Sequence, residues 1–422
     1  MRLFDTYTKS LVELPPPPGP VRMYFCGPTV YARAHIGNAR PFVLGMWLRS
    51  WLRAAGYEVT LVHNITDVND KIYDAAPGAS AELARQATDW YLGDTAELGL
   101  GMPDAMPRVT DHVPDIVRFI GELVDGGHAY PMEGDVYFRV ASFPEYGRLS
   151  GQRPDQVEEQ EPNPLKEDPR DFALWKANKE GEDTAWDSPW GRGRPGWHIE
   201  CSVLAEALLG PSFEIHGGGL DLVFPHHENE LAQSRALGHP FARIWTHNGM
   251  LRFTGEKMSK SVGNIASIRE TLDEWGRETI LVFFLTGHWR KPIDFSPETM
   301  AQAAAQAESF RNVFRGPSEP GGDWDAFAAA LDDDFNTAEA LALMHQWRDH
   351  ELLHRALGLF GLASLGAGDE APPEIVEVAE RRQRARAARD FEEADRLRAE
   401  LEAAGWEMRD EPGGGYTLVR RR

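Results

Sequence analysis

Apolar positions along the chain follow two alternating rhythms. The run Val21-Arg22-Met23-Tyr24-Phe25-Cys26, entered through the proline-rich breaker at 15–20, reads as a buried strand. From 37 to 55 the spacing becomes helical, with Phe42, Val43, Met46, Trp47 and Leu52 on one face, and Gly56 closes it. Residues 58–63, carrying Val59, Leu61 and Val62, return to a strand. A strand–helix–strand order of this length predicts parallel pairing in a doubly wound sheet. The stretches 77–110 and 110–127 both read as helical. Between 133 and 195 the texture changes: a strand at 135–140 precedes a polar stretch rich in proline and glutamate at 152–169, as expected of an insertion. Strands resume at 213–216 and 244–247, so the sheet is split around that insertion. Beyond 298 the pattern is helical, with alanine-rich segments at 299–314 and 324–360 and a linker composition at 361–373. Asp390-Phe391-Glu392-Glu393 then fits a capping box, Leu397 and Leu401 face inward, and Gly405 is a natural stop. The expected class is α/β, with a helical C-terminal region.

Composition narrows the functional classes. The chain has 422 residues, enough for at least two domains, and 42% hydrophobic residues exclude a disordered chain. Its apolar runs fall short of the roughly 18 residues that span a bilayer, so no membrane partner is expected. Residues 1–10 lack the apolar stretch of a secretory signal, and two cysteines cannot build a disulfide framework. A reduced, cytoplasmic setting is the expectation. A net charge of −22 excludes coating by nucleic acid through bulk attraction. Local charge differs: 381–422 hold eleven arginines against nine acids, a net of +2, which leaves −24 on the other 380 residues.

Three constellations carry candidate chemistry. In His35-Ile36-Gly37-Asn38-Ala39-Arg40, between first strand and helix, His35 and Asn38 share a face at a helix N-terminus. Free N–H groups there favour phosphate, and Gly37 lets a ligand approach the backbone. On this segment alone, an ordinary βα turn with a chance histidine is the better reading. Lys257 and Lys260 in Gly255-Glu256-Lys257-Met258-Ser259-Lys260-Ser261 suit a loop that neutralises a polyphosphate; a solvated loop is the plain alternative. The cysteines are the third. Cys26 ends the first strand, at the sheet edge where open α/β folds bind ligands. Cys201 lies in 195–201 with Trp197 four residues before it, and His226 and Glu230 are spaced to grip one ion. Two thiolates, an imidazole and a carboxylate would complete a tetrahedral Zn²⁺ site. Two buried thiols packed as small hydrophobes fit the same facts, and both readings stay open on spacing alone.

The ordered pair of His turn and Lys loop resembles the signature sequences of class I aminoacyl-tRNA synthetases. With Cys26-Gly27-Pro28-Thr29-Val30-Tyr31, Asn64-Ile65-Thr66-Asp67-Val68-Asn69-Asp70-Lys71, 195–201, His216-Gly217-Gly218-Gly219, Asp221, 224–230 and 256–264, the chain resembles the bacterial cysteinyl-tRNA synthetases from about residue 2 to its end. The resemblance implies a Rossmann-like catalytic domain at 1–110 and 196–253, split by a connective insertion at 111–195. A Lys-loop and stem-contact region at 254–310, a helical bundle at 311–373 and a small anticodon-end domain at 374–422 would follow. It implies one Zn²⁺ held by Cys26, Cys201, His226 and Glu230, and ATP with Mg²⁺ as substrate. His35, Asn38, Lys257 and Lys260 would act on the phosphates. Gly27, Thr29, Gly37, Asn64, Gly219 and Asp221 would hold ATP or the adenylate, and Thr66, Trp197 and His216 would line the cysteine pocket. The implied partners are L-cysteine, ATP and tRNA(Cys), the last meeting Arg381, Arg382, Arg384 and Arg386, and the implied state is a monomer.

The family pattern is broken in places. Asn69 stands where aspartate is commoner, the region 336–373 is short, and the tail 413–419 lacks a tryptophan. The last two bear on the anticodon end alone. Two rivals are a cysteine:glucosaminyl-inositol ligase of the mycothiol pathway and a non-catalytic RNA-binding paralogue. The arginine-rich end at 381–422 fits the synthetase rather than the first, and the intact signature residues oppose the second.

Overall fold

The computed structural model describes residues 1–153, 162–253, 266–366, 371–410 and 415–420. An antiparallel hairpin of β1 (Arg2–Asp5) and β2 (Ser10–Glu13) leads into β3 (Pro20–Phe25), α1 (Ile36–Ala54) and β4 (Glu58–His63). Then come α2 (Asp70–Ala75), α3 (Ser80–Glu97) and α4 (Val113–Asp125). Strands β5 (Ala129–Met132), β6 (Asp135–Phe138), β7 (Phe172–Ala177) and β8 (Gly193–Pro195) form a separate four-stranded antiparallel sheet. The main chain then returns through α5 (Trp197–Leu209), β9 (Ser212–Gly219), α6 (Glu228–Ala236) and β10 (Phe241–Asn248).

The central sheet runs β10-β9-β3-β4, all neighbours parallel. Buried Val21, Met23, Phe25, Leu61, Ile215 and Ile244 supply its share of the core, and α1 covers it with Phe42, Val43, Met46 and Trp47. Because β9 lies beside β3, the carboxyl ends of strands about 190 residues apart in sequence meet at one edge. Cys26, Asn64 and 216–219 all lie there.

Beyond it stand β11 (Leu251–Phe253), α7 (Ile268–Leu285), β12 (Ile293–Phe295) and α8 (Pro297–Arg315). Next are α9 (Trp324–Asp332), α10 (Thr337–Met344) and α11 (His350–Leu359), then α12 (Pro373–Ala387), α13 (Phe391–Ala403) and the hairpin β13 (Trp406–Asp410)–β14 (Tyr416–Arg420). The Asp390 side chain caps α13 by accepting from the Glu393 N–H, and Leu397 and Leu401 are buried, as the pattern predicted. Among the described residues no helix is long and apolar enough to cross a membrane.

One expectation is corrected, and a second resolves into separate helices. The stretch 77–110 is helical only over α3. After it Gly99 and Gly101 take positive φ, and the chain runs extended beside β4, with His63 N–H donating to Ala105 O and Ile65 N–H to Pro107 O. Two prolines and two left-handed glycines cannot continue a helix. The alanine-rich 324–360 is three helices. Asp334 and Phe335 adopt positive φ, and Asn336 and Asp349 each start a new helix by capping it.

Candidate active site

The site is built where the parallel strands end. Cys26 N–H donates to Gly217 O at 3.1 Å, which ties the end of β3 to β9. Gly27 N–H donates to Asn64 Oδ1 at 2.9 Å; a Cβ at 27 would sit 1.6 Å from the Asn64 carbonyl oxygen, so only glycine fits. Thr29 bridges Thr66, with Val30 N–H donating to Thr66 O and Thr66 N–H to Pro28 O, both at 3.1 Å. The Thr66 hydroxyl accepts from Asn64 Nδ2 at 3.2 Å and donates to Glu200 Oε2 at 3.1 Å. Glu200, buried on α5, is a site residue the sequence reading missed; burial raises its carboxyl well above the usual range.

The cysteine, histidine and glutamate side chains converge beside this edge. Cys26, His226, His227 and Glu230 place one donor atom each within 4.8 Å of one another, all buried. His226 Nε2 lies 3.0 Å from Glu230 Oε1, and Cys26 Sγ lies 3.7 Å from the same oxygen. Cys201, on α5, is not one of those four: its thiol donates to Asn64 Oδ1 at 3.8 Å, and Cys26, His226 and Glu230 are close enough to shift its titration. His216 Nε2 closes the other side, 3.1 Å from Glu230 Oε2 and 3.7 Å from Cys26 Sγ. Trp197 stacks on His226 at 4.3 Å, and His198 Nδ1 meets His226 Nδ1 at 3.0 Å. His227, His198 and His247 were not expected here. The His226-His227 doublet was the one available signal, and it was read only for its i,i+4 member.

Burial opposes charge throughout, and the neighbours overcome it selectively. It pushes the Glu230 carboxyl up, yet His216 and His226 hold it down to about 2. It pushes the His226 imidazole down, yet Glu230 and Cys201 hold it up to about 10. Burial and Cys201 together drive the Cys26 thiol well above its usual range. Burial raises Cys201 too, but neighbouring Cys26 and His226 bring it down to about 6.

The donor chemistry fits a zinc ion. Tetrahedral zinc with bonds of roughly 2.0–2.3 Å keeps its ligand atoms roughly 3.2–3.8 Å apart. The His226–Glu230 and Cys26–Glu230 separations of 3.0 and 3.7 Å sit close to that range.

On the opposite side, His35 is the extended residue that opens α1. Its N–H donates to Asn38 Oδ1 at 3.2 Å, and its carbonyl accepts from Asn38 N–H at 2.8 Å. A Cβ on Gly37 would meet the His35 ring at 2.9 Å. This turn pairs with 266–268: Ile36 N–H donates to Ala266 O at 3.0 Å, and Ile268 N–H to Ala34 O at 2.9 Å. Lys257 and Lys260 lie outside the described residues.

Glycines 217–219 are not a turn. They continue β9, and Cβ atoms there would strike Phe25, His227 and Asp221. Asp221 follows on an exposed helical turn. Of the arginines, Arg381, Arg384 and Arg386 are exposed on α12, whereas Arg382 is buried with Nη1 at 3.1 Å from Met408 Sδ. Its expected RNA contact is therefore replaced by packing inside the C-terminal unit.

A family model described as the tRNA synthetases class I (C) catalytic domain matches residues 15–305, and a DALR domain matches 326–348. The chain is 42% identical, over all of both sequences, to a cysteine–tRNA ligase of Pseudothermotoga lettingae. It is 45% identical to one of Halorhodospira halophila, covering 94% of each. Among solved structures it is similar to Mycobacterium tuberculosis methionyl-tRNA synthetase in complex with methionyl-adenylate, with a TM-score of 0.60, 16% identity, and 82% of this chain and 88% of that one covered. At that identity the likeness speaks for the fold alone.

Proposed function

We infer the working of this site from one premise: the chain belongs to the cysteine–tRNA ligases of the class I aminoacyl-tRNA synthetases. It is a ligase whose substrates are cysteine, ATP and tRNA. The observation that carries the residue assignment is the buried group of Cys26, His226, His227 and Glu230 at the carboxyl edge of the parallel sheet, to which the reading adds Cys201 from α5.

The reaction divides into two displacements. A carboxylate oxygen of cysteine attacks the α-phosphorus of ATP, the bond to the bridging oxygen breaks, and pyrophosphate leaves. A terminal ribose hydroxyl of the tRNA then attacks the acyl carbon, losing its proton as AMP departs. Neither step calls for a protein nucleophile, so positioning and charge stabilisation are the protein's tasks. Zn²⁺ held by Cys26, Cys201, His226 and Glu230 would supply a soft Lewis acid for the substrate thiolate, a contact that a serine hydroxyl cannot match. A pocket that sorts by size alone gives about 10–200-fold discrimination, so a thiol-selective contact removes the need for editing.

Thr66, fixed by Asn64 and Glu200, and Trp197, held against His226, would line the amino-acid pocket beside His216. Gly27, Thr29, Asn64, Gly219 and Asp221 would receive the adenylate along the strand ends. His35, Gly37 and Asn38 would hold the phosphates with Mg²⁺ at the α1 N-terminus. Lys257 and Lys260 would stabilise departing pyrophosphate. The pairing of 34–36 with 266–268 supports this, because residue 266, six positions after Lys260, is held beside the His35 turn. Arg381, Arg384 and Arg386 on the 374–422 end would meet tRNA.

Cysteine-dependent ATP–pyrophosphate exchange, followed by transfer to tRNA(Cys) and to glucosaminyl-inositol, tests the reading. Exchange with transfer to tRNA is expected. Transfer to the sugar alone would establish the mycothiol-type ligase, and absence of exchange the non-catalytic paralogue.

A further inference from the structure

A hydrogen-bond chain leaves Cys26 through His227, whose Nε2 also lies 3.9 Å from Glu230 Oε1, and ends on the N-terminal hairpin. Cys26 Sγ lies 3.3 Å from His227 Nε2. His227 Nδ1 lies 2.7 Å from His247 Nε2, and His247 Nδ1 lies 2.7 Å from Thr6 Oγ1. Thr6 is itself fixed. Its N–H donates to Trp245 O at 2.9 Å, and the neighbouring buried Asp5 accepts from Trp245 N–H at 2.8 Å. The ring of His227 has little freedom, because His216 and Trp245 flank it and a Cβ on Gly218 would touch it at 3.0 Å.

A neutral imidazole has one N–H, so the sense of every bond in the chain is set by its two ends. A metal-bound thiolate at Cys26 accepts. His227 then donates through Nε2–H, its bare Nδ1 accepts from His247 Nε2–H, and the bare Nδ1 of His247 accepts from the Thr6 hydroxyl. The reverse sense would turn a bare Nε2 toward the ion and make His227 a competing ligand.

We propose that Thr6, acting through His247, positions His227 as the N–H donor to the Cys26 thiolate, so that the hairpin sets the metal affinity of the site. The proposal rests on the zinc reading above. Thr6 and His247 are positioning residues in this arrangement, 241 positions apart in sequence.

Full-length protein is stripped of metal, titrated with Zn²⁺ against a chromogenic chelator, and titrated with Co²⁺ by absorbance. Thr6→Val keeps the shape and loses the hydroxyl. It should weaken Zn²⁺ binding about tenfold and shift the thiolate-to-Co²⁺ charge-transfer band, and Thr6→Ser should restore both. His247→Gln carries an amide that donates to His227 unaided, so adding Thr6→Val to that background should cost less than twofold. That pair also decides the matter if Thr6→Val alone lowers the melting temperature of the metal-free protein. Thr6→Val binding within twofold of the parent overturns the proposal. So does an equal loss in Thr6→Ser, or an undiminished tenfold loss in the His247→Gln background. Absence of Zn²⁺ uptake by the parent protein, or full uptake by Cys201→Ser, would instead overturn the zinc reading itself.

Discussion

Gly27 has no room for a methyl group, and the consequence is specific. A Cβ 1.6 Å from the Asn64 carbonyl would drive apart the two strand ends that carry Cys26 and Thr66. Gly27→Ala should therefore destabilise the protein by about 3 kcal/mol, read from urea unfolding, and lower cysteine-dependent exchange at least tenfold. Cys201→Ser should lose bound zinc and exchange together while the fold survives; metal analysis and exchange on one preparation check it. His63 gives a pH prediction. Its Nδ1–H donates to Phe25 O at 3.0 Å, its Nε2 accepts from the Tyr91 hydroxyl at 2.7 Å, and burial lowers it to about 4. The unfolded ring takes up its proton near 6.5. The neutral buried ring thus stabilises fully above pH 6.5, and that stability is lost as pH falls toward 4, about 3 kcal/mol in all. His63→Gln should flatten the acid limb of stability against pH in that window and leave the slope above pH 7 unchanged. The convergence of Cys26, His226 and Glu230 was legible because a strand end and helical spacing present those donors, whereas Cys201 stands outside the group and His227 inside it. Thr6 and His247 were not legible: nothing in either neighbourhood signals a partner 241 residues away.

Arg40, inside the His35 motif, shows how one side chain can hold elements together. Only 4% exposed, its guanidinium donates to Gly249 O just past β10 and to Lys291 O at 2.8 Å in the turn before β12. Burial lowers it to about 10. It clamps α1, β10 and that turn through backbone carbonyls, a fork geometry an ammonium cannot reproduce. Arg40→Lys should cost about 2 kcal/mol, seen as a lower urea midpoint at unchanged slope. The βαβ unit and α13 were readable because each carries its own period and stop signal. The β1–β2 hairpin was not, since four-residue strands are too short to show alternation. Nor was the break between α9 and α10. There Asp334 accepts from Phe4 N–H at 2.8 Å and from Arg290 Nε at 2.7 Å, and its carbonyl from Trp289 Nε1 at 2.6 Å, so tertiary contacts override the alanine-rich propensity.

The net charge of −22 argues against nucleic-acid binding only if charge is spread evenly, and it is not. In the C-terminal unit, α12 packs on α13 around Ala379, Ala394, Leu397 and Leu401, with Arg382 buried against Met408. Arg381, Arg384 and Arg386 are exposed on α12, Arg381 with Nη2 3.5 Å from Glu393 Oε1 on α13. Attraction concentrated in so few cations, on an acidic body, favours brief and salt-sensitive capture, as an enzyme that must release charged tRNA requires. Replacing Arg381, Arg384 and Arg386 together by glutamate should raise the KM for tRNA about tenfold. It should also reduce the slope of log affinity against log salt by about 2 to 3. Cysteine-dependent pyrophosphate exchange, which uses no tRNA, should stay at the parental rate. Arg382→Gln should do the reverse, loosening the C-terminal unit in a thermal melt without the salt-slope change, because that guanidinium serves packing. A triple variant with parental KM and salt slope would place the tRNA contact elsewhere on the molecule, whereas one that also lost exchange would show that the two ends do not act independently.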